Sequence, residues 1–306
     1  MSKLEAVANF TIVLLFGAIA GILGVVLYLS GTTGFSAILL SLVFTILIGF
    51  AQWYFAPGII RWITGAEEIT RSQAPKIFET VARLSKKAGL PKPPKVLIVR
   101  SPVPNAFAFG RSRSDSSIAL HTGLLKELSP EEAEAVIAHE IGHIKHRDVV
   151  IMTIASLIPV LLYYAAIILL SGSSDRERRN SLAVFAGGFL ARFIGQFLVL
   201  WLSRVREYSA DEFASGISGG RNLAKALVKI SYGIGKGDTN DSVSCLYIGD
   251  NTGESPEALA KYLDLDSGAL SKALEREKPS SFIEGFMSHP LTSKRILALK
   301  RIDDAK

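Results

Sequence analysis

The sequence predicts a mainly α-helical integral membrane protein with a small β-sheet and four transmembrane helices. Three observations carry this expectation. Uncharged or nearly uncharged apolar runs occupy residues 10–29, 35–55, 149–170 and 182–202, each about long enough to cross a hydrocarbon core. Short segments between residues 95 and 121 have strand character. A capped helix carrying both charge and histidine stands just before the third run. At 306 residues, 49% hydrophobic, with a mean hydropathy of +0.32, the chain can hold one soluble domain beside its membrane segments. The net charge of +6 reads as a membrane-surface bias. No basic stripe with interleaved aromatics accompanies it, so no nucleic-acid partner is expected. The single cysteine, Cys245, excludes an intrachain disulfide and leaves no thiolate metal cluster, which fits a reducing setting.

Residues 1–57 read as an N-terminal transmembrane hairpin. Its runs, Phe10–Leu29 and Phe35–Phe55, are joined by the uncharged turn Ser30-Gly31-Thr32-Thr33-Gly34. A signal peptide is the competing reading, but the first run is long for one and the second follows at once. Trp53, Tyr54 and Trp62 suit the interface. Residues 58–148 are rich in Lys and Arg, so the positive-inside rule places them and the N-terminus in the cytoplasm. Within them a helix is expected over Ala74–Ala88, ending at Gly89 before Pro91. Lys92-Pro93-Pro94 is a linker. Strands follow at Val96–Val99, Asn105–Gly110 and Ser117–His121, the last two joined by the polar turn Arg111–Asp115. The next helix runs from Ser129 to about Arg147. Ser129 is the N-cap, Pro130 the first helical residue and Glu132 the partner in a capping box. Ala133, Val136, Ile137, Ile141 and Ile144 give it an apolar face.

Residues 149–202 read as a second apolar hairpin, interrupted by Pro159. Its loop at 171–180 carries Arg176, Glu177, Arg178 and Arg179, and its second arm carries Arg192 and Gln196. An Arg-rich outer loop opposes the charge rule, and a mid-span charge is costly unless it faces protein or water. Two helices lying partly in the interface or against the soluble part are the alternative. Residues 203–306 are soluble in character. Helices are expected at Arg204–Gly216 and Arg221–Tyr232, a loop over 235–256, short helices at Ser255–Asp264 and Ser267–Glu277, and a basic helix at Thr292–Ile302. No internal repeat is present.

The helix at 129–147 carries the chemistry. Its centre reads Ala138-His139-Glu140-Ile141-Gly142-His143. His139 and His143, four apart, share a helical face and can bind one Zn²⁺. Glu140 points to a different side, where it can reach water at the metal. A polar stripe on an exposed helix is the other reading of this pattern. The apolar surroundings weigh against it, and so does Gly142, a poor helix residue that lets another segment approach closely. A catalytic zinc needs a third protein ligand. His146 lies seven residues beyond His139, about 10 Å along the axis, and cannot share the ion. Val149 stands where a metzincin would have its third His. A carboxylate from a second helix remains. Glu207 and Asp211 are four apart on one face: Glu207 can supply an oxygen, and Asp211 can accept from the far nitrogen of a ligating His. A solvated acidic pair is equally open.

These residues resemble a known family. His139-Glu140-x-x-His143 joined to an apolar hairpin, then Glu207-x-x-x-Asp211, then Ser288-His289-Pro290-Leu291-x-x-x-Arg295, is similar to the HtpX-type membrane zinc endopeptidases and, more distantly, the CAAX prenyl endopeptidases. Asn105-Ala106-Phe107 matches the family's segment ahead of the metal helix. The resemblance covers nearly the whole chain. It implies a gluzincin-like zinc peptidase with several passes through the plasma (inner) membrane and a cytoplasmic catalytic part. In that family pattern His139, His143 and Glu207 hold Zn²⁺, Asp211 supports them, and Glu140 is the general base. His289, near Arg295, would stabilise the oxyanion. Protein substrates would bind as extended strands, at an edge near Asn105–Phe109 or Ser117–His121. The implied role is stress-responsive quality control of misfolded or membrane proteins. Two other readings are a CAAX-type processing protease, which needs a lipid-sized chamber, and a membrane-anchored binding module with a four-ligand structural zinc. The sequence assigns no oligomeric state.

Overall fold

The computed structural model describes residues 35–171, 181–232, 261–264 and 287–305. The expected first membrane run, the turn at 30–34, residues 172–180, the loop at 235–256 with Cys245 and the short helix at 267–277 lie outside the described residues, as does most of the expected helix at 255–264. The chain divides into two compact units, Met1–Tyr54 and Phe55–Lys306. Among the described residues three helical stretches are long and apolar enough to cross a membrane: Leu39–Thr64, Asp148–Leu170 and Ala186–Ser218. The remaining expected span, residues 10–29, lies outside the described residues. Phe50, Leu169 and Phe189 are 61%, 80% and 69% exposed, an apolar surface suited to lipid rather than water.

Helix α1 covers Phe35–Thr64. It runs past the hairpin boundary expected near residue 57, because residues 58–64 stay largely apolar and Arg61 in the last turn suits the negative end of the helix dipole. The helix stops at Gly65, which takes a left-handed φ of 61°. The Ala66 N–H then reaches the Arg61 carbonyl at 3.1 Å, a Schellman closure.

Four strands make one mixed sheet: β1 (Glu67–Glu68), β2 (Lys95–Val99), β3 (Ala106–Ser112) and β4 (Asp115–His121), in the order β1-β2-β4-β3. β2 and β4 are parallel, and the other pairs are antiparallel. The three expected strands are present within two residues of their expected bounds. β1 was not legible because two exposed Glu residues have no apolar alternation to read. Alternation sorts the faces. Val96, Ile118 and Leu120 join the main core, with Ala106 and Ala108 packed against it. Leu97, Val99, Phe109 and Ala119 form a second cluster with Ala66, against which Ile60 and Phe107 pack. β4 is interior, so Ser117–His121 offers no free edge, contrary to that expectation. Among the described residues β1 and β3 are the edge strands, and β3 is the long one.

The main core joins the sheet to α2 (Pro75–Lys87), α3 (Thr122–Glu127) and α4 (Pro130–His146). α4 has the expected capping box. Ser129 Oγ accepts from the Glu132 N–H at 3.3 Å, and the Glu132 carboxylate accepts from the Ser129 N–H at 2.8 Å. The Glu132 carboxylate also binds Lys229 Nζ at 2.7 Å.

Two expected boundaries change. The apolar run after α4 is two helices, α5 (Asp148–Ala155) and α6 (Ile158–Ser171). Pro159 has no N–H to give the Ala155 carbonyl and its ring clashes there, so the chain breaks just upstream. The fourth apolar run and the helix expected at Arg204–Gly216 are one 38-residue helix, α7 (Ser181–Ser218). The passage from apolar to charged sequence near Arg204 changes the solvent and not the backbone, since no proline or glycine stands between Gln196 and Ser215. Helix α8 (Gly220–Tyr232) and helix α9 (Thr292–Asp304) complete the described helices. The Asp303 carboxylate accepts from the Gly220 and Arg221 N–H groups at 3.3 and 2.9 Å and from the Tyr262 hydroxyl at 2.9 Å. That capping contact ties α9 to the start of α8.

Helices α4 and α7 meet at Gly142. A Cβ there would lie 3.1 Å from Ala210 Cα and 3.3 Å from Ala210 O, both backbone atoms. Gly142→Val is therefore expected to destabilise by about 1–3 kcal/mol through overpacking. A thermal unfolding scan in detergent should show a lower midpoint, accompanied by weaker metal uptake because α7 is pushed from α4.

Candidate metal centre

His139 and His143 present their Nε2 atoms to one point on α4, 3.1 Å apart. Glu207 arrives there from α7. Its Oε2 lies 3.6 Å from His139 Nε2 and its Oε1 lies 3.6 Å from His143 Nε2. The three side chains offer ligand atoms that all fall within 4.8 Å of one another, close enough to hold a metal ion. Glu140, the residue after His139, is buried beside them. Burial raises its carboxyl pKa against the pull of both histidines, and the Ala108 N–H of β3 approaches it.

Each candidate ligand is held from behind. His139 Nδ1 lies 2.9 Å from Asp211 Oδ1, one turn along α7 from Glu207. Arg295, from α9, grips Asp211 through two parallel contacts, Nε to Oδ2 at 2.7 Å and Nη2 to Oδ1 at 2.6 Å. Its Nη1 reaches Glu207 Oε2 at 3.1 Å. Glu207 and Asp211 are 7% and 1% exposed, and such buried carboxylates require a cation and donors to stay ionised. They in turn raise the Arg295 pKa against its burial. His289 Nδ1 sits 3.1 Å from Glu207 Oε1 with its side chain 59% exposed.

Two residues escaped the sequence reading. Asp148 Oδ2 accepts from His143 Nδ1 at 2.7 Å, and Arg206 binds the other Asp148 oxygen. Asp148 can reach back because Arg147 adopts left-handed φ 60°, ψ 36°, ending α4 and starting α5 in one residue. An arginine in that region is strained. No motif marks it, so five residues of separation across a helix end hid the contact.

The other expected site residues are placed as follows. His146 stands apart, its ring edge-on to Phe213 at 6.1 Å. Asn105 precedes β3, with its carbonyl accepting from the His121 N–H at 3.0 Å. Ala106 faces the main core, while the Phe107 side chain lies on the opposite face of the sheet. The Phe107 side chain therefore does not face the metal side, and its backbone pairs with Ala119 of β4.

The family model for peptidase family M48 matches residues 71–303, a span that contains every residue of this cluster. The chain belongs to peptidase family M48. It is 35% identical over 258 residues to the protease HtpX homolog 2 of Methanosarcina mazei, covering 82% of this chain and 81% of that one. It is 38% identical over 233 residues to the protease HtpX homolog of Methanothermobacter thermautotrophicus (74% and 86% covered). The Pyrococcus furiosus homolog is 34% identical over 300 residues, 94% of each chain. Among solved structures, S. mikatae Ste24p has the same fold with a TM-score of 0.59 at 19% identity, covering 98% of this chain and 66% of that one. This M48 peptidase is thus a membrane metalloprotease, as the HtpX-type resemblance implied.

The charge arrangement has measurable consequences. Without metal, His139 is strongly desolvated, which disfavours its proton, yet Asp211 and Glu207 overcome this and raise its pKa to about 10. Its proton must leave for a metal to bind, so apparent metal affinity should rise with pH, up to tenfold per unit below pH 10. Co²⁺ titration of the metal-free protein at several pH values, with proton release recorded, checks this. Asp148→Ala frees the His143 ring and should weaken metal binding about 10- to 100-fold, measured by chelator competition.

Proposed function

We propose that the protein is a zinc endopeptidase of the plasma (inner) membrane. It would hydrolyse peptide bonds of misfolded or membrane proteins on the cytoplasmic side as part of a stress response. The carrying observation is the convergence of His139, His143 and Glu207 with a buried Glu140 alongside. Two imidazole nitrogens and one carboxylate oxygen suit a catalytic zinc with an open fourth position. Their separations of 3.1, 3.6 and 3.6 Å fit the edge of about 3.3 Å expected for tetrahedral bonds of about 2.0–2.1 Å. Asp211 and Asp148 stand behind the two imidazoles as partners that orient them. A bound zinc would supply Lewis acidity, lowering the pKa of water toward neutrality and polarising the scissile carbonyl.

The chain's own residues supply the rest. Glu140 accepts the proton of the attacking water and returns it to the leaving amine. Its raised pKa makes it a better acceptor than an exposed glutamate. His289, exposed at the rim, donates to the oxyanion as it forms. Arg295 keeps Glu207 and Asp211 ionised and in place. The free edge of β3 runs beside α4, and a narrow crevice between them is lined by Ala108, Phe109, His143 and Asp148. An extended peptide pairing with the outward backbone groups of the Asn105–Phe109 strand would lie along it, read by main-chain hydrogen bonds with broad side-chain tolerance. The Lys- and Arg-rich stretch at 58–148 supports the cytoplasmic placement.

Glu140→Gln should keep its zinc and lose cleavage of casein and of itself, whereas Glu207→Ala should lose the metal. Elemental analysis and a gel-based cleavage assay with and without chelator separate the two. Wild-type cleavage rates in Glu140→Gln would remove the base assignment, and an unchanged metal content in Glu207→Ala would remove the ligand assignment. A closed structural zinc predicts no chelator-sensitive cleavage in either assay.

A further inference from the structure

Arg192 takes no part in the metal centre. It is the only charged residue in the four apolar runs at 10–29, 35–55, 149–170 and 182–202. It stands on α7, within the candidate span Ala186–Ser218. Charged residues resume at Arg204, twelve positions later, about 18 Å along the axis. A hydrocarbon core is about 30 Å thick, so Arg192 lies near its middle.

The local packing shows why the side chain reaches a rim. Gly188 and Gly195, four before and three after it, lie on the same helical face. A Cβ at Gly188 would meet the Tyr163 ring at 3.0 Å, and one at Gly195 would meet Pro159 Cα at 2.7 Å. Arg192 thus shares the face of α7 that packs on α6, and it is half-buried there. The Tyr163 phenol is within its electrostatic reach but carries no charge to balance it. Among the described residues Arg192 has no ion-pair partner. Exposed Gln196 follows one turn on, amid exposed Phe189, Phe193 and Ile194. A guanidinium and an amide one turn apart therefore interrupt an otherwise apolar outer surface.

An intramembrane ionisable group needs a partner. The apolar runs contain no Asp or Glu, and among the described residues no carboxylate of this chain stands beside Arg192. A lipid phosphate lies beyond the core boundary, about 15 Å from its middle, too far for the side chain to reach without leaving the hairpin. We infer that Arg192, assisted by Gln196, docks the transmembrane segment of a protein substrate through an Asp or Glu at mid-bilayer depth. Arg192 precedes Glu207 by fifteen positions on one unbroken helix, about 22 Å. A segment held there would carry its flanking chain toward the metal centre. This rests on the reading of membrane proteins as substrates and adds to it the feature by which they are selected.

The test uses the full-length zinc-loaded protein in phosphatidylcholine vesicles. Two single-span reporters share one flank and differ by Asp or Leu at the centre of the span. Wild type should cleave the Asp reporter about tenfold faster, mainly through a lower KM. Arg192→Leu should remove that preference at unchanged metal content, and Arg192→Glu should transfer it to a Lys-bearing reporter. No preference in wild type, or a preference kept in Arg192→Leu, overturns the inference. So does a response to added anionic lipid that is the same for both reporters, since it would assign Arg192 to headgroups. Casein is the control on wild type. If casein is cleaved and neither reporter is, the docking inference fails alone; if nothing is cleaved, the protease reading fails with it.

Discussion

The structure depends on burying several charges at the junction of two helices. Glu140, Glu207 and Asp211 are carboxyl groups withdrawn from water, and His139 lies among them. Isolated, each would cost several kcal/mol to bury in charged form. Arg295 makes the arrangement tolerable by contacting both Glu207 and Asp211, and each histidine finds an acid behind it. Removing any one member would leave the rest under-compensated, so the cluster behaves as a unit. Its geometry requires α4 and α7 to lie close, and Gly142 against Ala210 permits that approach.

That junction also joins the bilayer to the chemistry. α7 is a single helix whose apolar part is suited to lipid and whose far turns carry Arg206, Glu207 and Asp211. α5 begins the preceding apolar stretch with Asp148, which holds His143. Both supports of the site are thus the ends of helices suited to cross a membrane. The hairpin of α6 and α7, packed at Gly188 and Gly195, sets where those ends stand. A rigid platform of this kind places side chains more accurately than loops can.

Much of this is legible in the amino-acid sequence. The capping box, the His139–His143 face, the need for a close neighbour at Gly142 and the pairing of Glu207 with Asp211 all follow from helical spacing, a local property. Strands are legible where apolar residues run together or alternate, as at Val96–Val99 and Asn105–Gly110, and not at Glu67–Glu68, two exposed carboxylates. Along α7 the polarity changes while the backbone does not, and the break before α6 lies upstream of Pro159 and not at it.

The amino-acid order alone therefore determined which residues share a helical face, where helices cap, and which stretches are apolar enough for a bilayer, because these depend on neighbours a few positions apart. Only the tertiary structure decided that β3 and not β4 is an edge strand, that Phe107 turns away from the metal side, and that Asp148 and Arg206 stand behind His143. Those facts depend on strand order, on one left-handed residue at Arg147, and on contacts between residues some sixty positions apart, and no local spacing encodes them.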